Sequence, residues 1–447
     1  MESTDLTSCV HLPSQKNKNK TDKLLYIFII AAYTTITLST IGLTQGFPVI
    51  SSIAKSKGLL DIEIGLIYCL QAILCAFLFP ISSVILTKVN KKLALCVCSL
   101  LVYCSFILYG FIISMSRTPF LIFSLIFSCV EAYCETMIFL SANLILWETF
   151  PDRQSTMFAM QEVTISIGYV SGPSICAILY PLIGFSHMYL LIGILGLIVS
   201  LVITATLVLS KTENKTMVRE QADPLLILRI ILTPSLSLHL VVTFTTAFFF
   251  NYFYPVIGPY LISRYDVTVS TVGWVIMSGE LVYMVCSIIL GYMYDNYIHS
   301  LHIVVAALGL FTQAIGIFLY PPSSLISNKG GNYLTFSIFG SIFNGLGIAL
   351  CFIPILTSLL MKAEERFPGV SNVEPSVAGL FTGAYYLGEG AGQFISEVIA
   401  DFYSLDVIST YLAGFVLIFS VVLLLIGVIK FRELKMLKHP FKRGIIN

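Results

Sequence analysis

The feature that most constrains this chain is its runs of apolar residues. Twelve stretches, at 24–48, 62–87, 93–115, 120–148, 156–181, 187–210, 236–261, 269–294, 300–320, 333–361, 375–401 and 407–430, are mostly apolar over the length of a membrane span. About 20 such residues cross the hydrocarbon core of a bilayer as a helix. Backbone N–H and C=O groups find no water there, so each run must satisfy its own hydrogen bonds by coiling. Composition excludes a soluble domain: 57% of the 447 residues are hydrophobic and only 11% charged, with a mean hydropathy of +0.91. Soluble chains carry about 25% charged residues, so an ordinary globular enzyme is excluded. A net charge of +1 offers no basic footprint for nucleic acid. The predicted fold class is an all-α membrane protein of twelve transmembrane helices.

The basic residues check this count independently, because Lys and Arg gather on the cytoplasmic side of membrane proteins. If both tails share one face, that face receives Lys16, Lys18, Lys20 and Lys23, then Lys88, Lys91, Lys92 and Arg153. It also receives Lys211, Lys215, Arg219, Arg229, Lys362 and Arg366, and six more in the C-terminal tail, making twenty. The opposite face holds Lys55, Lys57, Arg117, Arg264 and Lys329, which is five. Twenty against five favours an even number of spans and two cytosolic termini.

Other signals are mostly negative. Ten of the eleven cysteines lie in apolar runs, and no loop gathers the pairs of a disulfide framework or a zinc site. The first 23 residues are too polar for the apolar centre of a cleavable signal peptide. They read as a cytosolic tail, followed by a helical half at 24–210, a linker at 211–235, a second half at 236–430 and a tail at 431–447. The halves echo each other. After span two stands Ser83-x-x-x-Thr87-Lys88-x-Asn90-Lys91-Lys92, and after span eight stands Gly291-x-x-x-Asp295-Asn296. Span five contains Gly168-x-x-x-Gly172-Pro173, and span eleven contains Gly388-x-x-x-Gly392-Gln393. Two repeats facing each other across a central cavity, with substrate near the midplane, is a transporter design.

These residues carry a family resemblance. The loop after span two resembles the signature of the major facilitator superfamily, keeping its basic positions at Lys88, Lys91 and Lys92 while Ser83, Thr87 and Asn90 replace Gly, Asp and Gly. The Gly168–Pro173 run resembles the span-five signature of the antiporter branch. Within that superfamily, Lys57-Gly58, Phe150-Pro151, Glu162…Gly172-Pro173, Tyr254-Pro255…Arg264-Tyr265, Gly291…Asp295 and Asn344-Gly345 are similar to the vesicular amine transporters, and most of all to the vesicular polyamine subgroup. Two departures touch the cavity: Ser128 stands where the family has a span-four Arg, and Tyr254 where it has a span-seven acid. The resemblance implies two six-helix halves, alternating access, and a cytosolic gate in which Lys88, Lys91, Lys92, Gly291 and Asp295 take part. Glu162 near the cytosolic end would brace this gate against Arg153 and Lys88. It also implies an acidic vesicle as the location, a plasma membrane being the other possibility.

Ionisable groups are costly inside a bilayer, about 2.5–3.5 kcal/mol for a central charge by insertion scales, so their presence asks for a function. Glu131 and Glu135 lie in span four, Glu162 in span five, Glu280 in span eight, and Glu389 and Glu397 in span eleven. No Lys or Arg lies deep in any span. Spans three, six, nine and twelve, which pack outside in the superfamily, hold no acid. Glu135, Glu280 and Glu389 fall within a turn of mid-span, while Glu397 falls nearer the far side, as a structural or gate-rim residue. Glu131 and Glu135 share a helix face, so one of the two is expected to carry a proton or meet a cation. Acids without basic partners suit a cationic substrate and proton carriage. Asn251 and Tyr254 in span seven would add a polar group and an aromatic face for an amine. The glycines at 168, 172, 388 and 392, with Pro173, read as helix-packing positions.

The reading is a proton-coupled antiporter of small organic cations, monomeric, with a proton gradient and no cofactor. A drug or metabolite exporter and a non-transporting sensor on the same fold stay open. An intramembrane enzyme is disfavoured, because the sequence has no His-Glu-x-x-His, no Gly-x-Ser-x-Gly and no phosphate loop.

Overall fold

The computed structural model describes residues 15–149, 154–209, 224–296, 301–327, 333–370, 373–400 and 402–437. Its α-helices are α1 Gln15–Thr44, α2 Ile50–Ser56, α3 Asp61–Lys88, α4 Lys91–Phe111, α5 Arg117–Thr149, α6 Gln154–Leu209, α7 Pro224–Leu232, α8 Pro234–Asn251, α9 Tyr254–Tyr265, α10 Val269–Asn296, α11 His302–Leu319, α12 Ser324–Ser327, α13 Tyr333–Arg366, α14 Val373–Ala400 and α15 Leu405–Leu437. Ten stretches among the described residues are long and apolar enough to cross a membrane. One of them, the 44-residue Val163–Thr206, turns at Gly184 and counts as two crossings. The 28-residue α14, which carries Glu389 and Glu397, completes twelve. An even number of crossings puts both ends of the chain at one end of the bundle, the terminal end; the opposite is the far end.

Four details differ from the sequence reading. Helix α1 starts at Gln15, within the stretch expected to be tail. The turn expected between spans five and six shrinks to Gly184, whose φ of 73° needs a residue without Cβ. Span seven is broken into α8 and α9 at Tyr252 and Phe253. Pro255 has no N–H to return to the Asn251 carbonyl, so the helix cannot run straight through. The expected linker holds the helix α7.

Packing within the halves repeats. Gly168 and Gly172 of α6 lie against α1, where a Cβ at Gly172 would stand 2.9 Å from the Gln45 amide nitrogen. Gly388 and Gly392 of α14 lie against α8, where a Cβ would stand 3.1 Å from the Phe244 carbonyl carbon and 3.2 Å from that of Phe248 respectively. Span five on span one is thus the counterpart of span eleven on span seven. Between the halves, α3 runs along α14, and α10 runs along α6. Leu93, Val97, Leu101 and Leu108 of α4 are exposed, as are Phe415, Ile418, Leu425 and Ile429 of α15. An apolar surface of this kind suits lipid, not water.

The far end is tied by local contacts. Lys57 donates from Nζ to the carbonyls of Ile113 and Met115, 2.6 Å each. Arg117 holds both carboxylate oxygens of Glu63, at 3.1 and 2.9 Å.

Candidate functional site

The middle of the bundle is organised around α14. Tyr386 on this helix reaches across to the first half and donates its hydroxyl to Glu135 Oε1 of α5 at 2.8 Å. Gln71 of α3 donates from Nε2 to the other oxygen, and Cys75 Sγ lies 3.8 Å from it. Glu135 is therefore half-buried with a donor on each oxygen, one of them from the opposite half. The Tyr386 ring is stacked on Phe79 at 5.5 Å between centroids, and Phe139 meets Phe79 edge-on at 5.4 Å. These rings fix the hydroxyl where the carboxylate needs it.

One turn along α14, Glu389 is 1% exposed. Gln393 donates from Nε2 to its Oε1 at 3.3 Å, and Tyr169 faces it from α6. Glu389 lies within electrostatic reach of both Glu135 and Glu280. Glu280 on α10 is buried and accepts the Tyr254 hydroxyl. The break in span seven makes this bond possible, because it sets Tyr254 at the start of α9 with its ring against Phe47 and Phe250, at 5.5 and 5.9 Å. Behind Tyr254 lies a small cavity lined in part by Phe253, Gly279, Ser341 and Asn344. Asn251 spends Nδ2 on the Ala247 carbonyl at 3.0 Å and faces Tyr385 of α14.

Three of the expected acids, Glu135, Glu280 and Glu389, thus converge from both halves. Glu131, one turn from Glu135 on α5 and within its electrostatic reach, lies outside the hydrogen-bonded set. It is buried near Tyr109 and Tyr189, and its Oε1 has no hydrogen-bond partner among the described residues. No Lys or Arg among the described residues approaches this centre. His239 sits toward the terminal end, where its Nε2 faces the Ser358 hydroxyl at 2.9 Å and the Lys362 ammonium at 3.1 Å, while Nδ1 faces the Ser235 carbonyl at 2.6 Å. Those contacts make it a brace between α8 and α13.

Charge removed from water is held only where donors or counter-charges replace the lost hydration. Here the donors are Tyr and Gln side chains, which share a carboxylate's charge without neutralising it. The site can accept a cation between the acids or a proton on one of them.

The halves also meet away from the centre. At the far end, Ser51 Oγ of α2 meets Glu397 Oε1 of α14 at 2.9 Å and the Pro255 carbonyl of α9 at 2.9 Å. Ser270 donates to the Ala177 carbonyl, joining α10 to α6. The far end is thus closed by contacts between the halves. Among the expected gate residues, Lys92 donates its amide to Oδ1 of Asn90, which caps α4, at 3.0 Å. Arg153 and the side chains of Lys88, Glu162 and Asp295 lie outside the described residues, as does the expected brace among the first three.

Tyr386, Tyr169 and Tyr385 escape a reading of the sequence because tyrosines in apolar runs read as interfacial residues. Their spacing was the available signal: Tyr385 and Tyr386 precede Glu389 by about one helical turn.

A family model described as the Major Facilitator Superfamily matches residues 26–372. The mouse (Mus musculus) MFS-type transporter SLC18B1 is 22% identical over 301 residues, covering 66% of this chain and 62% of the relative. The rat (Rattus norvegicus) protein of the same name is 22% identical over 299 residues, with the same coverage. The aligned region thus spans less than two thirds of these relatives' length. Among solved structures, the nucleoside transporter NupG superposes with a TM-score of 0.65 at 12% identity, over 90% of this chain and 99% of its own. A bacterial homolog of the human lysosomal transporter Spinster, inward-facing and occupied, superposes with a TM-score of 0.62 at 16% identity, over 89% and 94%. Likeness at this identity establishes the fold.

Proposed function

The chain belongs to the major facilitator superfamily, and on that premise we propose that it is a proton-coupled antiporter of organic cations, amines or polyamines, working by alternating access. It is a multi-pass membrane transporter and not an enzyme. The observation that carries the finer reading is the convergence of Glu135, Glu280 and Glu389 from both halves, with no Lys or Arg among the described residues beside them. An anion carrier would need the opposite charge. The sequence's resemblance to the vesicular amine transporters supports an amine cargo and a vesicle membrane as the location, and its twenty-to-five distribution of basic residues supports cytosolic termini. In the cycle, an amine entering from the terminal end replaces a proton at the acids. The halves then rock, the amine leaves at the far end, and a proton returns the carrier. A gradient can drive this, since each elementary charge is worth about 2.3 kcal/mol per 100 mV.

Charge selectivity tests the reading. Purified protein in liposomes with an acidic lumen is offered labelled polyamines, monoamines and dicarboxylates. Uptake of amines and not of dicarboxylates is expected; robust dicarboxylate uptake with no amine transported overturns the reading.

A further inference from the structure

The helix α7, Pro224–Leu232, carries a surface that the transport cycle does not use. It is apolar all round except for Arg229. Successive residues turn by about 100° on a helix of 3.6 residues per turn. Leu226 and Ile230 therefore share one face, Leu228, Ile231 and Leu232 the opposite one, and Arg229 stands on the flank between them. The bundle takes the first face: α7 packs against α8 and α14, with Leu226 2% and Ile230 0% exposed. The second face is open. Leu228 is 51% exposed, Ile231 43% and Leu232 69%, and Arg229 is exposed beside them.

Two observations put this open face at the surface of the bilayer. The seventh crossing is complete without α7, since Pro234–Tyr265 runs for 32 residues. At 1.5 Å per residue that is about 48 Å, against about 40–45 Å for a bilayer with its headgroups. The chain also turns between the two helices. Thr233 has extended backbone, φ −83° and ψ 112°, and the next residue, Pro234, has no N–H to carry a helix through. So α7 does not prolong the crossing but folds against α8 and α14.

A helix with apolar residues on two opposite faces needs apolar cover on both. At the rim of a bundle already wrapped in lipid, the bilayer supplies the second. With the termini cytosolic, as proposed above, this end meets a leaflet whose anionic headgroups attract cations. Arg229 flanks the apolar face, where its stem can lie on apolar surface while the guanidinium reaches a phosphate. We propose that α7 is a bilayer-surface helix that binds anionic phospholipid, with acyl chains over Leu228, Ile231 and Leu232 and the headgroup on Arg229.

The proposal rests on the placement of the chain in the membrane and not on its cargo, so its test uses no substrate. In a cysteine-free background, a bimane fluorophore is attached to a single cysteine at position 228, 231 or 232, one at a time, and the protein is reconstituted into phosphatidylcholine vesicles. Quenching by acyl-chain nitroxides and shielding from iodide present on both sides are expected at all three positions. Quenching by iodide in place of the lipid quencher would put the face in water and overturn the proposal. Shielding from both would overturn it too, since another part of this chain or a second copy would then cover the face. Nitroxide-labelled phosphatidylserine and phosphatidylcholine, compared as quenchers, measure the headgroup preference. One arginine near an anionic surface is worth about fivefold, so the parent should favour phosphatidylserine by up to that factor and Arg229→Gln should favour neither lipid. No preference in the parent, or a preference that Arg229→Gln keeps, would overturn the headgroup contact. Should the uptake panel show no amine transport while the quenching behaves as expected, the lipid site stands and the cargo assignment falls.

Discussion

A carboxylate in the middle of a bundle keeps its charge only as long as neighbours donate to it, and Glu135 depends on two. Tyr386 is the donor that belongs to the other half, so it reports to Glu135 where that half stands. Removing the hydroxyl while keeping the ring tests this role. A hydrogen bond to a charged group contributes about 1.5–3 kcal/mol, so Tyr386→Phe should weaken amine binding roughly tenfold while the Phe79 stack keeps the protein folded. Binding measured by thermal shift or calorimetry checks it, and unchanged affinity would show that the bond is only packing. The acids were legible in the sequence because a charge in an apolar run is conspicuous and expensive. Tyr386 and Gln71 were not marked as partners, because partner choice depends on how α3 and α14 face α5. That orientation is a tertiary fact. Ser51 was less legible still, because its contacts with Pro255 and Glu397 depend on how α2 meets α9 and α14.

Among the helices, the repeat shows itself as one contact made twice. Gly168 and Gly172 admit α1, and Gly388 and Gly392 admit α8, at distances that leave no room for a Cβ. Gly392→Ala should therefore push α14 off α8, costing about 1–3 kcal/mol as overpacking does. The solubilised protein should unfold at a lower temperature, and it should also carry amine more slowly because Glu389 rides on the same helix. An unfolding temperature equal to the parent's would mean that α14 is not held by this contact. The glycine spacing was readable in the sequence, but the partner helices were not. The break in span seven was missed for a related reason: hydropathy averages over Tyr252 and Phe253 and does not see that Pro255 removes a hydrogen bond. That break is what turns Tyr254 toward Glu280, so an irregularity of the backbone supplies part of the site.

On the scale of the whole molecule, two halves meet along α3 with α14 and along α6 with α10, and the acids sit where those seams cross the middle. A rocking motion about the seams changes which end reaches Glu135, Glu280 and Glu389 without taking the acids apart. The twelve crossings were legible because each had to be a sufficiently long apolar run. The state of the carrier, closed at the far end over Ser51 and Glu397, was not, since it depends on contacts between residues up to 346 positions apart. The central claim is that these acids exchange a proton for an amine. It is tested most directly by protein in liposomes with a pH dye sealed in the lumen, equal pH on both sides and an inward gradient of a polyamine. The lumen should turn alkaline faster than in protein-free vesicles as protons leave in exchange, and Glu280→Gln or Glu389→Gln should cut that rate at least about tenfold, the loss expected when a proton-transferring group is removed. Amine entering at the full rate with lumenal pH unchanged, or both variants alkalinising the lumen like the parent, would contradict the account.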